Sequence, residues 1–83
     1  MIARGRVQGV FFRDTLRNAA DREGVAGWVR NNRDGTVEAV FEGDPGAVER
    51  LVAVAREGPP GAHVSELELL DEPDQGDEGF RVR

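Results

Sequence analysis

The sequence predicts a small α+β sandwich in which an antiparallel sheet carries two helices on one face. Three observations indicate this class: the order of strand and helix signals, a marked start or end for each of two helices, and a length of 83 residues. A chain of this length suits a single domain. We therefore expect residues 1–83 to form one domain with the order β-α-β-β-α-β and a short strand at the end.

The first part of the chain reads as a strand, a loop and the start of a helix. Apolar residues within residues 1–7 predict a short first strand. Gly5 and Gly9 bracket the following loop, where glycine permits tight turns and positive φ angles. The apolar spacing then predicts a helix that begins at Phe12 or Arg13.

The middle of the chain reads as a helix end followed by a β-hairpin. Gly24 suits the C-terminal end of the first helix, since glycine readily adopts the left-handed conformation found there. Residues 25–31 alternate as a strand does, and residues 36–42 are predicted to be the return strand. The Asn-Arg-Asp-Gly sequence at residues 32–35 predicts the turn between them.

The second helix has the clearest boundaries. Asp44 is a favourable N-cap, and Pro45 suits the first helical position because its fixed φ angle is already helical. Apolar residues at helical spacing then form one stripe, which consists of Val48, Leu51, Val52 and Ala55. The Gly-Pro-Pro-Gly sequence that starts at Gly58 ends the helix.

Two further strands complete the predicted sheet. Residues 64–70 are predicted to be a strand with Ser65, Leu67 and Leu69 on one face, and residues 80–83 a short last strand. Because crossovers between strands are right-handed, this order of elements folds into a ferredoxin-like sandwich. That architecture hosts many unrelated activities, so the function has to be inferred from particular residues.

The charge is distributed unevenly along the chain. Residues 1–33 contain seven Arg and three acidic residues, a net charge of +4, whereas residues 34–83 contain four Arg and thirteen acidic residues, a net charge of −9. Such an acidic chain is a poor nucleic-acid ligand unless its basic half forms one patch.

The lack of Cys excludes disulfides, a thiolate nucleophile and a zinc finger. No apolar run reaches the ~18 residues that span a membrane, and we expect a cytoplasmic protein.

The loop between the first strand and the first helix has the features of an anion site. A glycine-bracketed turn directs several backbone N–H groups at one point, and the helix N-terminus adds partial positive charge. Arg13 at the helix start would add a guanidinium group that matches phosphate oxygens. The alternative is that Arg13 is a solvated helix residue, and the spacing alone leaves both readings open.

Asn31 and Asn32 also have two readings. Asn is common in turns, so both residues fit ordinary hairpin chemistry. In the predicted fold, however, the second strand ends near the loop that follows the first strand. Asn31 could then present its carboxamide beside a phosphate held by Arg13 and orient a water molecule.

Two segments of the chain closely resemble the signature sequences of the acylphosphatase family. They are GRVQGVFFR at residues 5–13 and GWVRN at residues 27–31. The resemblance continues through Gly35, Val37 and Gly43 and includes residues 79–82, so it covers nearly the whole chain. Two long motifs in the right order, on the right predicted elements, are a far more specific signal than a glycine pattern alone.

This resemblance implies a function and a set of site residues. Family members hydrolyse the carboxyl–phosphate bond of small acyl phosphates to a carboxylate and inorganic phosphate, which would also compete with the substrate. The Arg that corresponds to Arg13 holds the phosphoryl group, and the Asn that corresponds to Asn31 positions the attacking water. The loop N–H groups that the resemblance assigns to phosphate binding belong to Arg6, Val7, Gln8, Gly9, Val10, Phe11 and Phe12.

The implied chemistry fits a chain with one His and no Cys. A carboxylate leaving group has a pKa of about 4, so it departs without a general acid. Phosphoryl transfer through a loose transition state mainly needs positioning and charge stabilisation. We therefore expect a monomeric enzyme that uses no metal or other cofactor and binds neither nucleic acid nor membrane.

Other residues and functions were weighed against this reading. We interpret His63 as a bystander, Trp28 as a packing residue and residues 71–74 as a solvated loop rather than a calcium site. The alternative function is a non-catalytic binding module of the same fold, or a fragment of a larger carbamoyl-transfer protein. An RNA-binding version is disfavoured because residues 37–42 lack the exposed aromatic pattern that stacks bases.

The start of the chain departs from the family pattern. Ala3 stands where the family usually has a larger aliphatic residue, and the family's first strand normally begins several residues earlier. In the predicted topology this strand lies inside the sheet, so a shorter strand would leave backbone groups of its neighbours unpaired. The resemblance thus leaves two alternatives, a true start upstream of Met1 or a shortened first strand, and in both the loop and Arg13 are intact.

Overall fold

The structure, a computed structural model, describes residues 1–71 and 75–83. In this part of the chain, strands and helices follow one another in the predicted order, which confirms the β-α-β-β-α-β arrangement and the short last strand. The elements are β1 (Ile2–Arg6), α1 (Phe12–Glu23), β2 (Ala26–Asn31), β3 (Val37–Glu42), α2 (Pro45–Glu57), β4 (His63–Glu68) and β5 (Phe80–Val82).

The strands form one sheet in the spatial order β4-β1-β3-β2-β5. β1 pairs antiparallel with both β3 and β4, and β2 pairs antiparallel with β3, as predicted. β5 is added at the edge parallel to β2, so the complete sheet is mixed. Because β1, β2 and β5 all run in the same direction, their C-terminal ends lie at one edge of the sheet.

The core lies between this sheet and the two helices. Spacing of three or four residues places a set of apolar residues on one face of each helix, and this set is buried. In the predicted stripe of α2, Val48 is partly buried against the core, whereas the partly buried Val52 is not part of it. The buried members of α1 are Phe12, Leu16, Ala19 and Ala20, and those of α2 are Ala47, Leu51 and Ala55. From the sheet, the core receives Ala3, Val29, Val37 and Ala39. The sandwich architecture that the element order predicts is therefore confirmed.

β4 differs from its prediction because it contains a bulge. Arg4 pairs with Glu66, whereas the next residue of β1, Gly5, pairs with Val64, so Ser65 is an extra residue in β4. The bulge resets the alternation, and both Val64 and Leu67 pack against the core. The predicted face of Ser65, Leu67 and Leu69 is therefore wrong, and the strand ends at Glu68 rather than at residue 70.

Two glycines of the motif segments are required by close strand approach. Gly5 has a φ of 116°, and a β-carbon there would overlap the carbonyl oxygen of His63. Gly27 has a φ of 133°, and a β-carbon there would overlap the carbonyl oxygen of Val40. Both positions combine a positive φ with a steric conflict, so only glycine fits them without a backbone shift.

Candidate active site

The loop between β1 and α1 is fixed at its two ends by buried apolar side chains. Val7 and Phe12 are almost completely buried in the core, whereas the residues between them are more exposed. The chain turns at Gly9, with a φ of 73°, and at Phe11, with a φ of 62°. These positive φ angles change the chain direction within five residues and start α1 at the sheet edge.

The backbone N–H groups of this loop and of the first turn of α1 are unpaired. Within residues 1–71 and 75–83, no N–H from residue 8 to residue 14 donates a hydrogen bond to another protein group. The first internal bond of the helix runs from the N–H of Thr15 to the carbonyl oxygen of Phe11, at 3.0 Å. Phe11 occupies the N-cap position, where its side chain accepts no hydrogen bond. Several donors are therefore free at the positive end of the helix dipole.

A cavity of about 300 Å³ lies beside these donors. It is built from the loop, the start of α1 and the C-terminal ends of β2 and β5, which meet at one sheet edge. Its lining consists of Val7, Gly9, Phe11, Phe12, Arg13, Asp14, Asn31 and Val82. The volume is at the small end of the range for small-molecule sites, which is roughly 300–1,000 Å³.

This cavity brings together some of the predicted site residues and leaves others at its margin. Arg13 and Asn31, which are 18 positions apart in the sequence, both line it. Arg6, Gln8 and Val10 belong to the predicted loop but do not contribute to the lining. Val10 instead packs against the core, and Arg6 is exposed at the end of β1.

Arg13 is partly buried, and no Asp or Glu side chain within residues 1–71 and 75–83 forms an ion pair with it. Its Nη1 atom donates a hydrogen bond of 3.3 Å to the backbone carbonyl oxygen of Arg83. Asp14, the carboxylate in the cavity lining, lies 3.7 Å from the guanidinium of Arg17. The positive charge of Arg13 is therefore left for a ligand, whereas Arg17 offsets the adjacent negative charge.

Gln8 connects the loop to the hairpin that carries Asn31. Its Nε2 atom donates hydrogen bonds to the backbone carbonyl oxygens of Asn32, at 2.8 Å, and Thr36, at 3.0 Å. The side chain of Gln8 thus joins the loop that precedes Arg13 to the hairpin that carries Asn31, and so helps to fix the distance between these two residues. Sequence reasoning assigned Gln8 only a loop-shape and backbone role, because its partners lie 24 and 28 positions away.

The two asparagines have different surroundings. The side-chain amide of Asn32 donates to the hydroxyl of Thr36, at 3.0 Å, and to the carboxylate of Glu38, at 3.2 Å. Its backbone N–H donates to the carbonyl oxygen of Thr36. Asn32 therefore performs the hairpin role that the sequence allowed for both residues, and the exposed Asn31 lines the cavity.

Two carboxylates of the hairpin have lowered pKa values. Burial alone would raise the pKa of Glu38, but hydrogen bonds from Arg30, at 3.0 Å, and Asn32 favour the ionised form and lower it overall. The pKa of Asp34 is lowered because its carboxylate accepts hydrogen bonds from the hydroxyl and the backbone N–H of Thr36, at 2.7 and 3.0 Å. Ionised carboxylates therefore stabilise the hairpin.

β5 contributes a wall that sequence reasoning did not assign to the site. Val82 lines the cavity, and Arg83 follows it beside Arg13. The guanidinium groups of Arg83 and Arg30 lie 4.4 and 5.1 Å from the ring centroid of Trp28, which is only 7% exposed. Trp28 is outside the cavity lining, and its contact with Arg83 connects β2 to the residue that follows β5. The match of residues 79–82 to the family pattern was the one sequence signal for this region.

Other predicted surface features lie away from the cavity. His63 is exposed in β4 and does not line it. The predicted solvated loop at residues 71–74 falls mostly on residues 72–74, which lie outside the described residues. In the described part of the chain, no three His, Cys, Asp or Glu side chains cluster as metal ligands would. Across the same residues, neither helix has the length and apolar character needed to cross a membrane.

Comparisons with known proteins agree with the geometry. The acylphosphatase family profile matches residues 1–82. A relative from Rubrobacter xylanophilus named acylphosphatase is 60% identical over 80 residues, which cover 95% of this chain and 73% of the relative. The crystal structure of acylphosphatase from Bacillus subtilis superposes with a TM-score of 0.94 at 35% identity, covering 99% of this chain and 92% of that one.

A second solved structure places the same fold in a longer chain. Full-length HypF, crystallised in a phosphate- and nucleotide-bound form, matches with a TM-score of 0.88 and 27% identity. The match covers 99% of this chain but 11% of HypF. Since the family profile covers nearly every residue and a relative is 60% identical, this chain belongs to the acylphosphatase family, whose members are hydrolases that act on acyl phosphates.

Proposed function

We propose that this protein hydrolyses small acyl phosphates to a carboxylate and inorganic phosphate. The observation that carries the proposal is the convergence of Arg13, the unpaired loop N–H groups and Asn31 on one small cavity. The membership of the acylphosphatase family supports the same reaction. Because one core joins the sheet and both helices, we further propose that residues 1–83 act as a single domain, and we also propose that they act as a monomer.

The phosphoryl group is bound by the loop and Arg13. The backbone N–H groups from Gln8 to Phe12, which have no partner within the described residues, donate to the phosphate oxygens, and the dipole of α1 adds positive potential. The guanidinium of Arg13 supplies the full positive charge and two parallel donors. The hydrogen bond to the main-chain oxygen of Arg83 and the place of Arg13 in the cavity lining support this role of the guanidinium.

Asn31 positions the water that attacks phosphorus. Its carboxamide is neutral, so it orients the water by hydrogen bonding and does not act as a base. The water oxygen forms a bond to phosphorus while the bond from phosphorus to the carboxylate oxygen breaks. The substrate phosphate takes the proton of the water, and the carboxylate leaves without protonation because its pKa is about 4.

Four proteins test this assignment with acetyl phosphate in the presence of a chelator. Arg13→Ala is expected to lower kcat/KM by at least about a hundredfold, since it removes the charge that stabilises the transition state. Asn31→Ala is expected to lower kcat by a similar factor. Arg22→Ala, an exposed arginine in the last turn of α1, is the matched control and should resemble the parent protein. Equal activity of the Arg13 and Arg22 variants would contradict the proposal.

A second candidate function is phosphate binding without turnover. It is favoured by the fold match to a segment of HypF, whose crystal structure contains phosphate and nucleotide. In that case the parent protein would bind inorganic phosphate and leave acetyl phosphate intact. The same hydrolysis assay therefore separates the two functions, because release of phosphate above the uncatalysed rate occurs only in an enzyme.

A further inference from the structure

Phe11 is an exposed aromatic residue in an unfavourable backbone conformation. Its side chain is 79% exposed, more than any other large hydrophobic residue in the described chain. Its φ of 62° and ψ of 25° place it in the left-handed region, where Phe costs free energy that glycine avoids. Within the described residues it is the one non-glycine residue with a positive φ.

Nothing in the fold accounts for this side chain. Phe11 belongs neither to the core nor to the partly buried residues that pack against the core. It makes no side-chain capping bond, although it occupies the N-cap position of α1. An exposed ring at a position better suited to glycine is unfavourable for stability, and such residues cluster at functional sites.

The position of Phe11 relative to the phosphate cradle suggests its role. Phe11 lines the cavity together with Val82, which is 36% exposed. In the proposed function the phosphoryl group binds to Arg13 and the loop N–H groups, so the acyl group would extend from these donors toward the solvent. Phe11 and Val82 are the exposed apolar surfaces next to that path.

We propose that Phe11 is a specificity-determining residue that binds the acyl group of the substrate. This inference rests on the proposed function. The ring of Phe11 stacks against aromatic acyl groups and packs against long apolar ones, whereas an acetyl group is too small to cover it. The left-handed conformation of Phe11 lowers the stability of the fold, and in return its ring gives the enzyme selectivity for acyl phosphates with large apolar acyl groups.

The ratio of kcat/KM for benzoyl phosphate to kcat/KM for acetyl phosphate tests this role. In Phe11→Gly and Phe11→Ala the ratio is expected to fall by about three- to tenfold, the range of an aromatic contact. Phe11→Leu keeps apolar area without stacking and should lie between. Leu70→Ala removes another exposed apolar side chain, outside the cavity, and should leave the ratio unchanged. The melting temperature of Phe11→Gly should match or exceed that of the parent.

The possible outcomes separate this inference from the proposed function. An unchanged ratio in both the Gly and the Ala variants would overturn the role of Phe11. If kcat/KM fell equally for both substrates, the unchanged ratio would indicate a general loop defect. A parent protein that hydrolyses neither substrate would contradict the proposed function instead. Binding of phenacylphosphonate and acetonylphosphonate, analogues that cannot be hydrolysed, would then measure the same ratio without turnover.

Discussion

The two helices of this fold begin in opposite ways. At the start of α2, the carboxylate of Asp44 accepts hydrogen bonds from the N–H groups of Gly46, at 3.1 Å, and Ala47, at 3.2 Å, and Pro45 has no N–H to satisfy. At the start of α1, the side chain of Phe11 supplies no acceptor, and the first N–H groups have no partner within residues 1–71 and 75–83. Both ends have the same partial positive charge, but only α2 satisfies its donors internally.

This difference shows what makes a helix N-terminus available to an anion. The dipole is common to both helices and so cannot distinguish them. The start of α1 differs in three respects: its donors are free, Arg13 follows within one turn, and the ends of β2 and β5 enclose a cavity beside it. Asp44 already provides the start of α2 with a negative charge, which disfavours a second anion there.

The largest expected effect comes from placing a negative charge at the start of α1, as Asp44 does at the start of α2. In Phe11→Asp, the new carboxylate would lie next to the loop N–H groups and repel a phosphate. We expect kcat/KM for acetyl phosphate to fall by about a hundredfold, as for the loss of a transition-state donor. Phe11→Asn, which has the same shape without the charge, should lose far less. Equal losses in the two variants would show that charge at this position is unimportant.

A smaller effect is expected from removing the hydrogen bonds that connect the loop between β1 and α1 to the hairpin between β2 and β3. Gln8→Leu removes the hydrogen bonds to the carbonyl oxygens of Asn32 and Thr36. Each is worth about 1 kcal/mol, and the loop would hold its donors less precisely. Steady-state kinetics should show a fall in kcat/KM of about tenfold, whereas Asn18→Ala, which removes an exposed amide from α1, should have no effect. A lower melting temperature with unchanged kinetics would restrict Gln8 to a structural role.

At α2 the same reasoning predicts an effect on stability alone. Asp44→Ala removes the cap and should reduce the free energy of unfolding by about 1 kcal/mol, which urea denaturation can measure. Asp44→Asn keeps an acceptor and should retain most of the stability. Neither variant should change kcat/KM at temperatures where it is folded. A loss of activity in folded Asp44→Ala would mean that the two helix starts are coupled.

The smallest expected effect concerns pH and the hairpin that carries Asn31. The pKa of Glu38 is below its ordinary value of about 4.5, so its ionised form contributes stability above that value. This contribution is lost as the pH falls through the lowered pKa. Glu38→Gln should therefore flatten the dependence of the urea midpoint on pH below about pH 4.5. The same acid dependence in both proteins would exclude Glu38 as its source.

The parts of the fold that local sequence specifies were predictable. Asp44 and Pro45 predict the start of α2 because the cap involves residues within one helical turn. The bulge at Ser65 was not predictable, since it depends on the pairing of β4 with Arg4 and Gly5, which lie some sixty positions earlier. Sequence alternation contains no information about an extra residue in one strand of a pair.

The candidate site also contains features that the local sequence reveals and features that depend on long-range contacts. Arg13 and Asn31 were recognisable because they lie within two motif segments, and the element order implies that β1 and β2 end at the same sheet edge. The amide bonds of Gln8 and the wall formed by Val82 depend on long-range contacts, so the sequence alone does not reveal them. The left-handed conformation of Phe11 was also missed, because Phe is a poor indicator of positive φ.

Binding of inorganic phosphate tests the central claim most directly, since it measures phosphate binding at the start of α1 separately from the chemical step. Isothermal titration calorimetry would compare the parent protein with Asn31→Ala and Arg13→Ala. We expect the parent and Asn31→Ala to bind phosphate with similar Kd values and Arg13→Ala to show no measurable binding. Undiminished binding by Arg13→Ala, or its loss in Asn31→Ala, would contradict the proposal that the loop and Arg13 hold the phosphate while Asn31 positions the water.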